Sequence, residues 1–273
     1  MALKAHLIVI DPQNDFMDIP NAALPVAGAV ADMERLVKLI ARVGHKLEDI
    51  HVTLDSHRTN DVAHPGFWKD ANGKRPNPFT IISHDDIKNG IWEPRNPAFR
   101  KRMLNYTAAL AANGKFLLMV WPEHCRIGSW GTQVYPPLFE ALSDWERQEN
   151  ATVDYVTKGT SIFTEHYGAL MAEVPDPEDA STQLNGDFIA VLQEADIIGI
   201  AGEASSHCVK ATIEQIVTNI GAQHLGKIQI LTDCMSPVPQ TPGAPDFPAI
   251  AQSFLKDMER QGLVLTTSDK FLA

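Results

Sequence analysis

Apolar residues fall into two alternating kinds of run along the chain. Short unbroken runs of strand length, such as Leu7-Ile8-Val9-Ile10, are separated by longer stretches in which apolar residues recur at helical spacing. In the first of those stretches Val30, Met33, Leu36, Val37, Leu39 and Ile40 form a single stripe. The pattern predicts strands at 6–10, 50–54, 115–120, 153–157, 197–201, 227–232 and 263–266. It predicts helices at about 28–43, 97–112, 137–147, 183–195, 207–220 and 248–261. Such alternation implies right-handed crossovers and an α/β fold, a doubly wound, mostly parallel sheet with helices on both faces.

Residues 57 to about 97 break the pattern. They are rich in Pro, Asn and Gly and show no sustained period, and loops of that length are usually functional or disordered. Phe67, Trp68, Phe79 and Trp92 argue for a packed loop. No repeat, low-complexity tract or linker divides the chain, so one domain over 1–273 is expected, with a long insertion at about 58–113 bordering a pocket.

Composition narrows the function classes. Hydrophobic residues make up 44% of the 273 and charged residues 21%, ordinary globular usage that argues against disorder. No run is long and apolar enough to span a bilayer, and the first residues lack a signal-peptide layout. Cys125, Cys208 and Cys234 are an odd, sparse set, which suits free thiols in a reducing compartment, so a cytoplasmic location is expected. A formal net charge of −11 disfavours nucleic acid as a partner, and the short basic stretch from Arg95 to Arg102 reads as the solvated start of a helix.

In open α/β sheets ligands bind beyond the carboxyl ends of the strands. Asp11, Asp55, His57, His124, Lys158 and Cys208 all follow apolar runs and would share that edge. Cys208 should open a helix, where unpaired N–H groups and the helix dipole favour a thiolate and suit an oxyanion. A nearby Lys158 would depress the thiol pKa further, and Asp11 could relay its proton to a leaving amine. In Asp55-Ser56-His57, residues two apart in an extended segment point the same way, which makes Asp55 and His57 a pair of metal ligands, with His124 a third. Two imidazoles and a carboxylate suit a divalent ion such as Zn²⁺, Fe²⁺ or Mn²⁺. His64 could be another ligand, but before Pro65-Gly66 it reads equally well as a loop residue turned to solvent or packed on Trp68, and is left out of the metal set. His207 is expected to pack or hydrogen-bond instead of acting as a base, and Cys125 and Cys234 to be structural.

These residues, in this order, resemble the isochorismatase-like cysteine hydrolases, nicotinamidases in particular. The resemblance spans most of the chain. It is carried by Val9-Ile10-Asp11-Pro12-Gln13-Asn14-Asp15-Phe16, Asp55-Ser56-His57, Trp121-Pro122-Glu123-His124-Cys125, Thr157-Lys158-Gly159 and Gly202-Glu203-Ala204-Ser205-Ser206-His207-Cys208-Val209. It implies a catalytic triad of Asp11, Lys158 and Cys208, a metal on Asp55, His57 and His124, and an oxyanion hole from the N–H groups of Ala204 and Cys208. It further implies a cis peptide before Ala204 and a substrate ring held between Phe16 and Trp121, its nitrogen on the metal. Members of the family often form homo-oligomers. Residues 57–113 and 171–182 look longer than in compact nicotinamidases and would border the pocket, where specificity is set.

The activity expected is hydrolysis of a small carboxamide, nicotinamide foremost, through a thioester on Cys208. The rival readings are an amidase for another small amide or ureido compound and a redox or binding protein using Cys208, with Cys125, as an oxidisable switch. An isochorismate-type vinyl ether hydrolase fits less well, because those relatives lack the nucleophilic cysteine.

Overall fold

The computed structural model describes residues 3–114, 116–240 and 245–273. In chain order the elements are β1 (Ala5–Ile10), α1 (Ala29–Val43), β2 (Leu47–Asp55), β3 (Trp68–Lys69), β4 (Ile81–Ile82), α2 (His84–Lys88), β5 (Glu93–Pro94), α3 (Arg100–Asn113) and β6 (Leu118–Met119). There follow α4 (Pro136–Glu149), β7 (Asp154–Lys158), α5 (Gly186–Glu194), β8 (Ile197–Gly202), α6 (Cys208–Asn219), β9 (Ile228–Leu231), α7 (Phe247–Arg260) and β10 (Val264–Thr266). Six strands form one parallel sheet in the order β10-β9-β8-β1-β2-β7, with helices around it.

β1 is buried at every position, as a strand covered on both faces must be. The α1 stripe packs inward through Met33, Leu36, Leu39 and Ile40, and α4 lies against α1 with Leu138, Leu142 and Trp145 buried. β8 ends on Gly202, whose φ is +118° and where an added Cβ would meet the Ile10 carbonyl oxygen at 2.1 Å. Only glycine lets the ends of β1 and β8 approach this closely.

The strand predicted at 115–120 is the one departure in topology. Lys115 lies outside the described residues, and of the remainder only Leu118 and Met119 are strand, paired antiparallel with β4 outside the central sheet. Its apolar run serves a second cluster in which Leu118 and Val120 pack with Val62, Phe67, Trp68, Ile82, Ile87, Met103, Tyr106 and Leu110. Two short antiparallel pairs and α2 therefore occupy the segment that lacked a period, with Trp68 Nε1 donating to the Val62 carbonyl at 2.8 Å. The basic stretch lies at the surface, with Arg95, Lys101 and Arg102 exposed; Arg100 donates to the Ile87 carbonyl and Arg102 pairs with Asp176. Among the described residues no helix is long and apolar enough to cross a membrane.

Candidate active site

The chain moves outward from β1 through β2 to β7, then returns to place β8 on the other side of β1. That reversal is a topological switch point, where strand ends diverge and leave a crevice. Asp11 follows β1, Asp55 and Lys158 end β2 and β7 as register partners, and Cys208 opens α6 beyond β8. Sequence positions 11, 55, 158 and 208 thus converge because four neighbouring parallel strands end there.

Lys158 is the hub. Its Nζ lies 3.0 Å from Asp11 Oδ2 and 3.0 Å from Asp55 Oδ1, donates to the His166 carbonyl at 3.0 Å, and sits 3.7 Å from Cys208 Sγ. The Lys158 and Asp11 side chains are 1% and 0% exposed, so this charge pairing takes place out of water. Asp11 has φ +45°, its N–H donates to Thr53, and Thr53 Oγ1 donates back to Asp11 Oδ1. This leaves Oδ2 to face the ammonium and the thiol.

Burial is the largest influence on every group here, and the neighbours decide the outcome. It raises the Asp11 pKa, against the pull of Lys158. Burial opposes the charge on Lys158, but Asp11, Asp55 and Cys208 outweigh it and hold the ammonium well above its ordinary value. The thiol departs from the sequence expectation: burial pushes Cys208 well above the usual cysteine value, Asp11 and Asp55 add to the rise, and Lys158 offsets only part. A dry pocket with two carboxylates disfavours a third anion, which favours the thiol form of Cys208 beside a carboxylate.

A few ångströms away are three histidines. Ring centroids lie 4.7 Å apart for His57–His124, 5.0 Å for His57–His64 and 5.3 Å for His64–His124. Asp55 Oδ2 is 3.0 Å from His57 Nε2 and 3.4 Å from His124 Nε2. Such spacings suit ligands sharing one ion at about 2.0–2.1 Å. Each ring has its Nδ1 within hydrogen-bonding reach of an oxygen, at 3.1 Å (His57 and Asp61), 3.2 Å (His64 and the Arg58 carbonyl) and 2.8 Å (His124 and the Pro122 carbonyl). Anchoring Nδ1 in this way presents Nε2 as the ligand atom.

His64 corrects the sequence reading. It is fully buried, and burial with its imidazole neighbours lowers its pKa to about 2, so it is a neutral donor. The loop fold draws it in, because the Trp121 N–H donates to the Ala63 carbonyl at 2.7 Å and ties the two histidine-bearing segments together. The donor set fits a divalent cation on charge as well. Asp11, Asp55 and Asp61 are buried here, Lys158 pairs with Asp11 and Asp55, and Asp55 and Asp61 hold His57 well above its ordinary value although burial opposes it.

The segment after Asp11 acts as a bracket. Gln13 Nε2 donates to the Asp55 carbonyl at 2.7 Å and Gln13 Oε1 accepts from the Asp55 N–H at 2.8 Å. Asp15 Oδ2 accepts from the Cys125 N–H at 2.7 Å, fixing the turn that carries His124. Gly131 leaves room for it, since a Cβ there would lie 1.9 Å from the Asp15 carboxylate. Phe16, one residue on, reaches the cavity wall.

That cavity is bounded by Phe16, Asp55, Trp121, His124, Ala204 and Cys208, together with Glu165, His166 and Tyr167. Phe16 lies 5.6 Å from His124, ring to ring, and Trp121 Nε1 donates to Tyr167 Oη at 3.1 Å. The Glu203–Ala204 peptide is cis, and Cys208 as the first residue of α6 has an N–H without an intrahelical acceptor. His207 packs against Phe247 at 4.7 Å and bonds Ser206 at 2.9 Å, and burial lowers its pKa to about 3, which suits packing and not base catalysis.

Glu165, His166, Tyr167 and Asp61 were not singled out by sequence reasoning. The first three sit in a loop seven residues or more past a strand end, with no period to mark them; Asp61 follows His57 by four, a spacing that gains meaning only with the ring in place. Burial pushes Glu165 up to about 8 and His166 down to about 3. Among the described residues nothing pairs with Glu165 Oε1 or His166 Nε2.

No protein-family model matches the chain, and no curated protein matches it in sequence. Solved structures do. A nicotinamidase/pyrazinamidase of Acinetobacter baumanii superposes with a TM-score of 0.64 at 20% identity, covering 98% of each chain. The pyrazinamidase of Pyrococcus horikoshii in complex with zinc gives 0.57 at 18% identity, over 97% of this chain and 99% of that one. An isochorismatase-like hydrolase from Alkaliphilus metalliredigens gives 0.53 at 16% identity, over 98% and 97%. With the sheet order and helices described above, these likenesses give the chain the isochorismatase-like hydrolase fold.

Proposed function

We propose that this chain is a cysteine amidohydrolase that cleaves a small carboxamide, nicotinamide foremost, to the acid and ammonia. The carrying observation is the buried ammonium of Lys158 within 3.0 Å of both Asp11 and Asp55 and 3.7 Å from Cys208. As the Cys208 sulfur attacks the amide carbon, its proton passes to Asp11, whose raised pKa makes it a competent acceptor. The developing oxyanion is held by the N–H groups of Ala204 and Cys208, a contribution worth on the order of a hundredfold or more per donor in such sites. Asp11 then returns the proton to departing ammonia, and deprotonates the water that hydrolyses the thioester. Lys158 remains charged throughout and keeps the two carboxylates from repelling the anion.

His57, His64 and His124, with Asp55 beside His57 and His124, would hold a divalent metal, zinc first by the nitrogen-rich donor set and by the zinc in the P. horikoshii relative. Such an ion would supply Lewis acidity toward a ring nitrogen of the substrate. Phe16 and Trp121 would flank that ring, and Glu165 Oε1 and His166 Nε2 offer it two uncommitted polar atoms. The test is ammonia release from nicotinamide by purified protein beside its Cys208→Ala variant, with metal content measured on both. Release that disappears in the folded variant is expected. Equal release from both would end the thioester mechanism, and no release from reduced, metal-loaded protein would move the activity to another amide.

A further inference from the structure

A second cluster of metal-binding side chains lies at the opposite end of the sheet. His6 is near the start of β1, Asp49 and His51 are on β2, and Asp154 begins β7, with His6 facing Asp49 and His51 facing Asp154 across the parallel register. Both imidazoles are buried, 3% and 2% exposed. His51 Nδ1 is 3.0 Å from Asp154 Oδ2, and His6 Nε2 is 3.4 Å from Asp49 Oδ2. Asp154 beside His51 Nδ1 can hold a proton there and leave Nε2, the inward nitrogen of that ring, to offer a lone pair, while Asp49 shares the outer side of His6 as a prospective co-ligand. The two inward nitrogens, His51 Nε2 and His6 Nδ1, stand 3.1 Å apart.

We infer that His6, His51 and Asp49 form a second divalent transition-metal site, with Asp154 orienting His51. The 3.4 Å between His6 Nε2 and Asp49 Oδ2 matches the edge of about 3.3–3.4 Å expected for two tetrahedral ligands at about 2.0–2.1 Å from one ion. Candidate ligand atoms of His6, Asp49 and His51 all fall within 4.8 Å of one another, and two imidazoles with a carboxylate are a donor set for Zn²⁺, Fe²⁺ or Co²⁺. The carboxylates also supply the charge, two negative groups against two neutral rings. The half-exposed side chains of Asp49 and Asp154, at 44% and 56%, give an ion a path from solvent to buried nitrogens. Phe188 of α5 closes the inner side at 5.1 Å from His51. An ion here would cross-link β1 to β2 at the end of the sheet remote from Cys208.

The test counts metal equivalents. Chelator-stripped protein is titrated with Co²⁺ and then Zn²⁺ by calorimetry, and bound metal is counted by elemental analysis after gel filtration, for wild type, His51→Gln and Asp49→Asn. The expected result is one equivalent fewer in His51→Gln than in wild type, and at least tenfold weaker binding of that equivalent in Asp49→Asn. The difference between proteins is read whether or not the histidines near Cys208 fill, so the proposal stands or falls apart from the amidase assignment. Asp49 is on the solvent edge and its amide should fold normally if His51→Gln does not. Equal equivalents with unchanged affinity in the folded variants would overturn the site and leave a histidine pair sharing a proton.

Discussion

Replacing Lys158 by Met removes a buried cation while keeping most of its volume, and so isolates its charge. Each Nζ–carboxylate separation is 3.0 Å, which at an effective dielectric near 20 corresponds to about 5–6 kcal/mol of attraction per pair. The cost of burying the ammonium offsets much of this, and breaking such a pair on one side typically costs about 3–5 kcal/mol. That loss is expected for Lys158→Met at pH 7.5 by urea unfolding in chelator, where no ion can substitute. The pH dependence is the sharper test. In wild type Asp55 is held well below its usual range: burial opposes this, and His57 and Lys158 outweigh it, so its contribution is present at neutral pH and lost in acid. In the variant the orphaned carboxylates take raised pKa values, the folded state binds more protons than the unfolded, and stability rises as pH falls. The deficit should therefore shrink between pH 7.5 and 5, by about 1.4 kcal/mol for each proton-equivalent and pH unit. Adding Asp11→Asn should restore part of it at pH 7.5. A deficit under about 1 kcal/mol, or one equal at both pH values, would refute Lys158 as the compensating charge.

Glu165→Gln tests the other buried acid: with the Glu165 pKa pushed up to about 8, the folded state holds its proton while the unfolded chain loses it near 4.5. Wild type is thus progressively penalised between those pH values, and the variant should gain on it by about a few kcal/mol at pH 8.5 with no advantage at pH 4, read by unfolding midpoints. His64→Ala should weaken zinc binding by at least about tenfold in competition with a chelating dye; unchanged affinity would return His64 to a packing role. Gln13→Ala removes both hydrogen bonds to the Asp55 backbone, so a loss of about 1–3 kcal/mol in stability is expected together with weaker metal binding, whereas normal metal affinity would show that Asp55 needs no bracket.

The sheet was legible because its strands are buried on both faces, and continuous apolar runs such as Leu7-Ile8-Val9-Ile10 have no competing explanation once helices flank them. The run at Leu117-Leu118-Met119-Val120 carries the same signal yet pairs with β4, since periodicity reports burial and not which partner does the burying. Asp11, Asp55, Lys158 and Cys208 were legible for a topological reason, each lying just past a strand end. Glu165 and His166 were not, and His64 was left undecided, because irregular loops bring them in and the hydrogen bonds responsible, Trp121 N–H to the Ala63 carbonyl and Lys158 Nζ to the His166 carbonyl, leave no pattern in sequence. The thiol pKa was misjudged for a related reason: charge spacing can be guessed from order, but depth of burial cannot, and here burial dominates.

Asp55 joins the Lys158–Cys208 group and the histidines into one assembly. Its two oxygens are divided, Oδ1 toward Lys158 at 3.0 Å and Oδ2 toward His57 and His124 at 3.0 and 3.4 Å. A cation on the histidine side draws on the same carboxylate that Lys158 does, which loosens the hold of Asp55 on the ammonium and leaves more of its field for Asp11 and the sulfur. The two halves are therefore coupled through one side chain at the junction of β2 and β7, and their coupling follows from register alone, because Asp55 and Lys158 are paired residues in adjacent parallel strands. A shift of one residue in that register would turn one of the two away from the cavity and break both halves together.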